Sequence, residues 1–319
     1  MRTIITILVL FLIQCTYLRA ELNQVPMGKI SNSCVFGVKS VSLYLYNSRV
    51  TDEKVLENKL CNNIDPSQPL IFLIHGFTSY ANSSTTRELA MQLKSDYTVF
   101  ALDWSQGACT DGIPILKFAA YPSAVFNTRE IGHRLANYTR TLIKECDVPI
   151  EKITYIGHSL GAHVSGFAAK YMQSGGFKIE RIVAADPASP LFGINKCENR
   201  LCKSDAKYVE VLHTSDFGIQ YEIGHADFYF NGGHIQPKCG INIIPCSHTR
   251  AVTYITDMCK NNCGFLGVSN SLSPYPDSNT TDCIIVNCNI LQNNSMEGKY
   301  YVYVDKDKHC TQDTFNCKQ

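Results

Sequence analysis

The sequence predicts an α/β fold with a mostly parallel central sheet and helices on both faces. Three observations predict it. Short apolar runs of strand length alternate with helix-length stretches through the middle of the chain. The runs are apolar without a break, as expected of strands buried on both sides. No linker and no internal repeat divides the 319 residues, so residues 21–319 read as a single domain.

Taken in order, residues 1–20 stand apart as a signal peptide. Arg2 supplies positive charge, Ile4 to Ile13 is apolar apart from Thr6, and Ala20 is the cleavage position. That apolar run is about half the ~20 residues needed to span a bilayer. "PLIFLIHG" (69–76) is a buried strand closing on a glycine turn. "STTRELAMQLK" (84–94) reads as helix and "YTVFALDW" (97–104) as the next strand. A long helix lies within 121–146, then the strand "ITYIG" (153–157) and a helix after Ser159. "RIVAAD" (181–186) and "YVEVLHT" (208–214) are further strands. The last third is richer in Cys, Asn, Gly and Tyr, and reads as loops, disulfides and sheet-edge strands such as "KYYVYVD" (299–305).

Composition narrows the compartment and the partners. Loss of the leader removes Cys15 and leaves 14 cysteines, an even number that in a secreted chain means disulfides. Cys197-x4-Cys202 and Cys259-x3-Cys263 lack the tight pairing of zinc modules, so no metal is expected. Four sequons, at Asn82, Asn137, Asn279 and Asn293, agree with secretion. Without Arg2 and Arg19 the chain has 27 basic against 28 acidic residues. A near-neutral chain with no basic cluster argues against nucleic acid and against strong attraction to anionic membranes, so any peripheral membrane contact is expected to be apolar.

"ITYIGHSLGAHVSG" (153–166) carries the chemistry. Gly157-His158-Ser159-Leu160-Gly161 is a G-x-S-x-G that a strand enters and a helix leaves, the arrangement of a nucleophile elbow. A serine hydroxyl becomes a nucleophile when a histidine takes its proton and a carboxylate orients the histidine. In this arrangement the acid follows the serine and the histidine comes last. Asp186 ends a strand, at the sheet edge where α/β sites assemble, and fits better than Asp205 or Asp216. Among the histidines, His213 lies inside a strand and reads as a core residue, while His225 and His234 border glycines. His248 follows Cys246 in a loop that a disulfide can tether; the chemistry alone favours it over His225 and leaves both open. Oxyanion donors are expected at the Leu160 N–H and, from the loop "LIHGF" (73–77), at the Phe77 N–H.

Together these residues resemble the animal lipase family, the group that includes pancreatic lipase. The blocks are "LIHGF", "ALDW", "IGHSLGAHVSGF", "AADPASPLF", "SDAKYVEVLHT", "GHADFYFNGG" and "CSHTRAVTYI", in family order. The resemblance implies an α/β-hydrolase fold with Ser159, Asp186 and His248 as the triad. It also implies a Cys34–Cys109 bridge; Cys197–Cys202 and Cys239–Cys246 are pairs near in sequence, and the remaining eight cysteines stay unassigned.

The departures are specific. Too little chain follows the last block for the β-sandwich domain of the pancreatic enzymes. Only Glu198 adds a carboxylate between Asp186 and Asp205, which argues against their structural calcium. Cys239 and Cys246 enclose only "GINIIP", too short for a covering helical lid. A short lid is similar to the secreted arthropod phospholipases A1 of wasp and ant venoms. Ile241, Ile243 and Ile244 in that loop either dip into lipid or pack on the protein. The expectation is a secreted, monomeric, cofactor-free phospholipase A1 acting at the sn-1 ester of a lipid surface. The alternatives are a triacylglycerol or broad ester lipase with the same triad, and a lipid-binding protein without catalysis, which retention of Ser159, Asp186 and His248 disfavours.

Overall fold

A computed structural model describes residues 33–111, 118–240, 243–260, 263–269, 283–307 and 309–311, with only the backbone of residues 243 and 244. The expected leader, the Asn279 sequon and Ile241 fall outside these residues, as do the side chains of Ile243 and Ile244. The described asparagines of the other sequons, Asn82, Asn137 and Asn293, are exposed.

The described strands are β1 (Ser42–Tyr46), β2 (Glu53–Val55), β3 (Leu70–Ile74), β4 (Thr98–Asp103), β5 (Ile153–His158), β6 (Arg181–Ala185), β7 (Tyr208–His213), β8 (Ala226–Phe230), β9 (Phe265–Ser269), β10 (Ile284–Val286) and β11 (Gly298–Tyr303). They form one sheet in the order β10-β9-β11-β8-β7-β6-β5-β3-β4-β1-β2. From β4 through β11 every neighbouring pair is parallel. Antiparallel pairing is confined to the flanks, where β1 joins β4 and β2, and β9 joins β11 and β10.

The apolar runs explain why these segments sit inside. All five residues of β3, LIFLI, are buried. Leu70, Phe72 and Ile74 enter one core, Ile71 and Leu73 the other. That alternation is the pleat of a strand covered on both faces. The first core takes Ile131 and Leu135 of α2 (Tyr121–Glu145) and Val164 and Phe167 of α3 (Leu160–Ser174). The second takes Leu89 of α1 (Ser84–Leu93) and Ala251 and Ile255 of α4 (Ile243–Cys259). At about 1.5–3 kcal/mol per buried large aliphatic or aromatic side chain, these two layers outweigh any single polar contact in the molecule.

The strand expected at a sheet edge is internal. β11 lies between β8 and β9, parallel to one and antiparallel to the other. Its lysine- and tyrosine-rich faces are only partly covered, which gives it the pattern of an edge although its backbone is paired on both sides.

All three pairings drawn from the sequence are present, Cys34–Cys109, Cys197–Cys202 and Cys239–Cys246. Three more between described residues join distant segments: Cys61–Cys146, Cys259–Cys288 and Cys263–Cys310. At the N-terminal end of β6, buried Arg181 pairs with Glu210 at 2.8 Å and donates to the Ile290 carbonyl at 2.8 Å. Burial pushes the Glu210 carboxyl up to about 8 against the pull of Arg181. This pair ties the C-terminal segment to the sheet; the opposite ends of β5 and β6 lead into Ser159 and Asp186.

Candidate active site

β5 runs into α3 through a single residue, Ser159, held at φ 57 and ψ −119. A non-glycine residue in that region is strained, and such strain collects at functional turns. The flanking glycines are required by space. A Cβ on Gly157 would lie 2.3 Å from the Gly161 carbonyl oxygen, and one on Gly161 would lie 2.1 Å from that of Ile74. The Ser159 N–H donates to the Ala185 carbonyl at 3.0 Å, and the Ala188 N–H reaches back to the Ser159 carbonyl at 3.4 Å. The elbow is thereby stitched to the end of β6, one residue from Asp186.

Asp186 also has positive φ, 48, and is fully buried. Its Oδ1 accepts from the Thr214 N–H at 2.8 Å and the Ser215 N–H at 3.3 Å. Its Oδ2 accepts from Ser215 Oγ at 2.5 Å and from His248 Nδ1 at 2.6 Å. A fully satisfied carboxylate on Nδ1 fixes the tautomer that leaves Nε2 free to take a proton. His248 sits in the second turn of α4, where the sequence suggested a loop. The helix starts inside the Cys239–Cys246 loop because Pro245 falls in its first turn, where a missing N–H leaves no intrahelical bond unmade. No hydrogen bond joins the Ser159 hydroxyl to His248 among the described residues. Such links are often long in the unliganded state and tighten around substrate.

His158, inside the motif, holds His248 from its other side. Its Nε2–H donates to the His248 carbonyl at 3.0 Å, and the two rings lie tilted against each other with centroids 4.6 Å apart. Burial first, then the neighbouring His248, pushes its pKa down to about 3, so it is neutral throughout the physiological range.

The loop after β3 reaches the serine directly. A Cβ on Gly76 would lie 2.7 Å from Ser159 Cβ. Buried His75 takes the Trp104 N–H on Nε2 at 3.0 Å and donates from Nδ1 to the Gly76 carbonyl at 3.0 Å. Peptide planes here are trans, so a Gly76 carbonyl turned toward His75 aims the Phe77 N–H the opposite way. The Thr78 N–H is spent on Ala108 at 2.7 Å, whereas the amides of Phe77 and Leu160 donate to no group among the described residues.

The other candidates are engaged elsewhere. His213 is buried between the Ile219 carbonyl (2.7 Å) and Asp227 (2.9 Å), as a core histidine should be. His225 accepts the Val209 N–H at 3.0 Å. His234 pairs with Asp216 at 2.6 Å on the surface. Asp205 is held by Lys170 at 2.5 and 2.6 Å. Sequence reasoning missed Ser215, Gly218, His75 and His158. Ser215 and Gly218 follow the C-terminal end of β7, and that position is the signal that points to them.

Comparisons with known proteins place the chain in a family. A family model described as Lipase matches residues 46–313. The chain is similar to a phospholipase A1 of Dinoponera quadriceps, 43% identical over 313 residues that cover 92% of this chain and 82% of that protein. It is similar to a phospholipase A1 of Solenopsis invicta, 40% identical over 349 aligned positions covering 100% of both. A phospholipase A1 of Vespa crabro is 43% identical over 252 residues, 76% of this chain and 83% of that one.

Proposed function

The chain belongs to the lipase family, and on that premise we propose that Ser159, His248 and Asp186 are its catalytic triad, with the Phe77 and Leu160 N–H groups as oxyanion hole. The protein is a carboxylic ester hydrolase of phospholipase A1 type. Ser159 Oγ attacks the sn-1 carbonyl of a glycerophospholipid while His248 Nε2 takes its proton. His248 then gives that proton to the departing lysophospholipid oxygen, leaving an acyl-serine. Water, deprotonated by His248, releases the fatty acid and restores Ser159. Asp186 holds the imidazole and stabilises its charged form.

The observation that carries the assignment is the 2.6 Å bond from His248 Nδ1 to buried Asp186 beside the strained Ser159 turn. The short Cys239–Cys246 bridge, closing onto the first turn of α4, supports a site without a long covering flap. We read the protein as secreted, which the disulfides support, and as one monomeric catalytic domain built on a single sheet.

The test uses a phosphatidylcholine with distinct sn-1 and sn-2 chains, a long-chain triacylglycerol in parallel, and mass identification of products. The expected outcome is release of the sn-1 chain with little triacylglycerol cleavage. Preferential triacylglycerol cleavage would mean a neutral lipase with the same triad. The Ser159→Ala variant should fold normally and lose at least about 10³-fold in turnover; normal activity there would remove the triad assignment.

A further inference from the structure

We propose that the loop of residues 187–196, which rises from Asp186, inserts into a phospholipid surface with Leu191 and Ile194 as its anchors. The proposal rests on the phospholipase reading and names the surface by which that site meets its substrate.

Ile194 is 98% exposed and Leu191 54% exposed. Single exposed aliphatic residues are ordinary on a protein surface. These two are held out by a rigid frame. Between them Phe192 is fully buried and stacks on His163 with ring centroids 3.7 Å apart. The Phe192 and Gly193 amides both donate to the Ser189 carbonyl, at 2.9 and 2.7 Å. Tyr121 Oη donates to the Pro190 carbonyl at 3.1 Å, Tyr221 Oη donates to that of Gly193, and Arg200 Nε to that of Asn195 at 2.9 Å. The Cys197–Cys202 bridge closes the far end. Leu191 itself stands at φ 64, a left-handed conformation that L side chains rarely adopt. A strained, pinned loop that points one aliphatic side chain entirely into water calls for an apolar partner.

Two further observations select a lipid surface as that partner. The first is continuity with the site. The Ser189 N–H donates to the Phe217 carbonyl at 2.7 Å, and the half-exposed Phe217 ring stands edge-on to His248 at 5.8 Å. On the opposite flank Tyr121, which holds Pro190, packs against Phe77 at 5.0 Å. An apolar rim therefore runs from the loop to both the base and the oxyanion strand-end. The second is charge. Residues 187–196 contain no carboxylate, and their one ionised group is Lys196 at the base of the loop. Such a segment meets a phosphate-bearing headgroup layer without repulsion while its aliphatic tips enter the acyl boundary.

The experiment reads binding and turnover separately. Trp104, the protein's one tryptophan, is fully buried. Ile194→Trp in a Ser159→Ala background therefore reports on the loop alone. Phosphatidylcholine vesicles should shift its emission to the blue. In the active protein, Leu191→Ser with Ile194→Ser should lower vesicle partitioning and vesicle turnover by about tenfold or more, while hydrolysis of monomeric dihexanoylphosphatidylcholine stays within about twofold. An unshifted emission with unchanged partitioning would overturn the proposal. So would an equal loss on monomeric and vesicle substrate, or a dimer of the parent protein that the double substitution dissociates. If the parent protein cleaves neither form of phospholipid, the phospholipase reading fails, and the emission and partitioning of the Ser159→Ala background still decide the loop.

Discussion

Asp186, which holds the proposed base His248, is itself held by contacts on every side. His248, Thr214 and Ser215 donate to it, and Gly218 lies against its remaining flank. A Cβ on Gly218 would stand 2.3 Å from Oδ1 and 2.8 Å from the carboxyl carbon. Gly218→Ala should therefore displace the carboxylate and lower kcat by about tenfold to a hundredfold. A soluble ester assay beside thermal melting would check it; an alanine variant with full kcat would show that the loop yields instead. The proposed triad of Ser159, Asp186 and His248 was legible in the sequence because the proposed chemistry demands those residue types in that order. Gly218, Ser215, His75 and His158 were not, since each acts on another group by shape or by hydrogen bonds, and neither leaves a spacing pattern.

At the scale of elements, α4 shows how a cross-link and a helix start share one task. Cys246 and His248 lie two residues apart on its opening turns, and Cys246 is bridged to Cys239. Closing a loop with a sequence separation of 7 removes little chain entropy, about 2.5 kcal/mol, whereas the Cys61–Cys146 separation of 85 gives about 4.6 kcal/mol by the same relation. Replacing both cysteines of each pair by serine should separate the two roles. Loss of Cys61–Cys146 should lower the denaturation midpoint more and leave kcat nearly intact. Loss of Cys239–Cys246 should cost less stability and more kcat. Equal effects on activity would show that α4 holds His248 without the bridge. The existence and order of the central strands and helices were readable because periodicity reports buried faces. The start of α4 was not, because Pro245 reads as a break wherever it stands and only its place in the first turn makes it tolerable.

At the scale of the whole molecule, the buried histidines His158 and His163 both have pKa values pushed down to about 3, chiefly by burial. In the unfolded chain each returns to the ordinary value near 6.5. Between these limits the unfolded state holds more protons, so stability falls as the pH drops from about 6.5 toward 3. Well inside that window each histidine contributes a slope of about 1.4 kcal/mol per pH unit. Urea unfolding across pH 7 to 4 should show the decline, and His163→Gln should flatten it by about one proton. Parallel slopes for the two proteins would contradict the burial argument. At this scale the sheet order was the least legible feature. The β11 sequence reports how its faces are covered, while its neighbours are set by contacts dozens of residues away. That placement has a consequence for biosynthesis. β8 is complete by residue 230, buried at all five positions, yet the strand that seals its free side begins at residue 298. A growing chain must shield an apolar, hydrogen-bond-hungry margin while nearly seventy further residues are translated. A premature stop after residue 248 but before residue 298 would leave the margin open to self-association, even though every residue of the proposed triad had already been made.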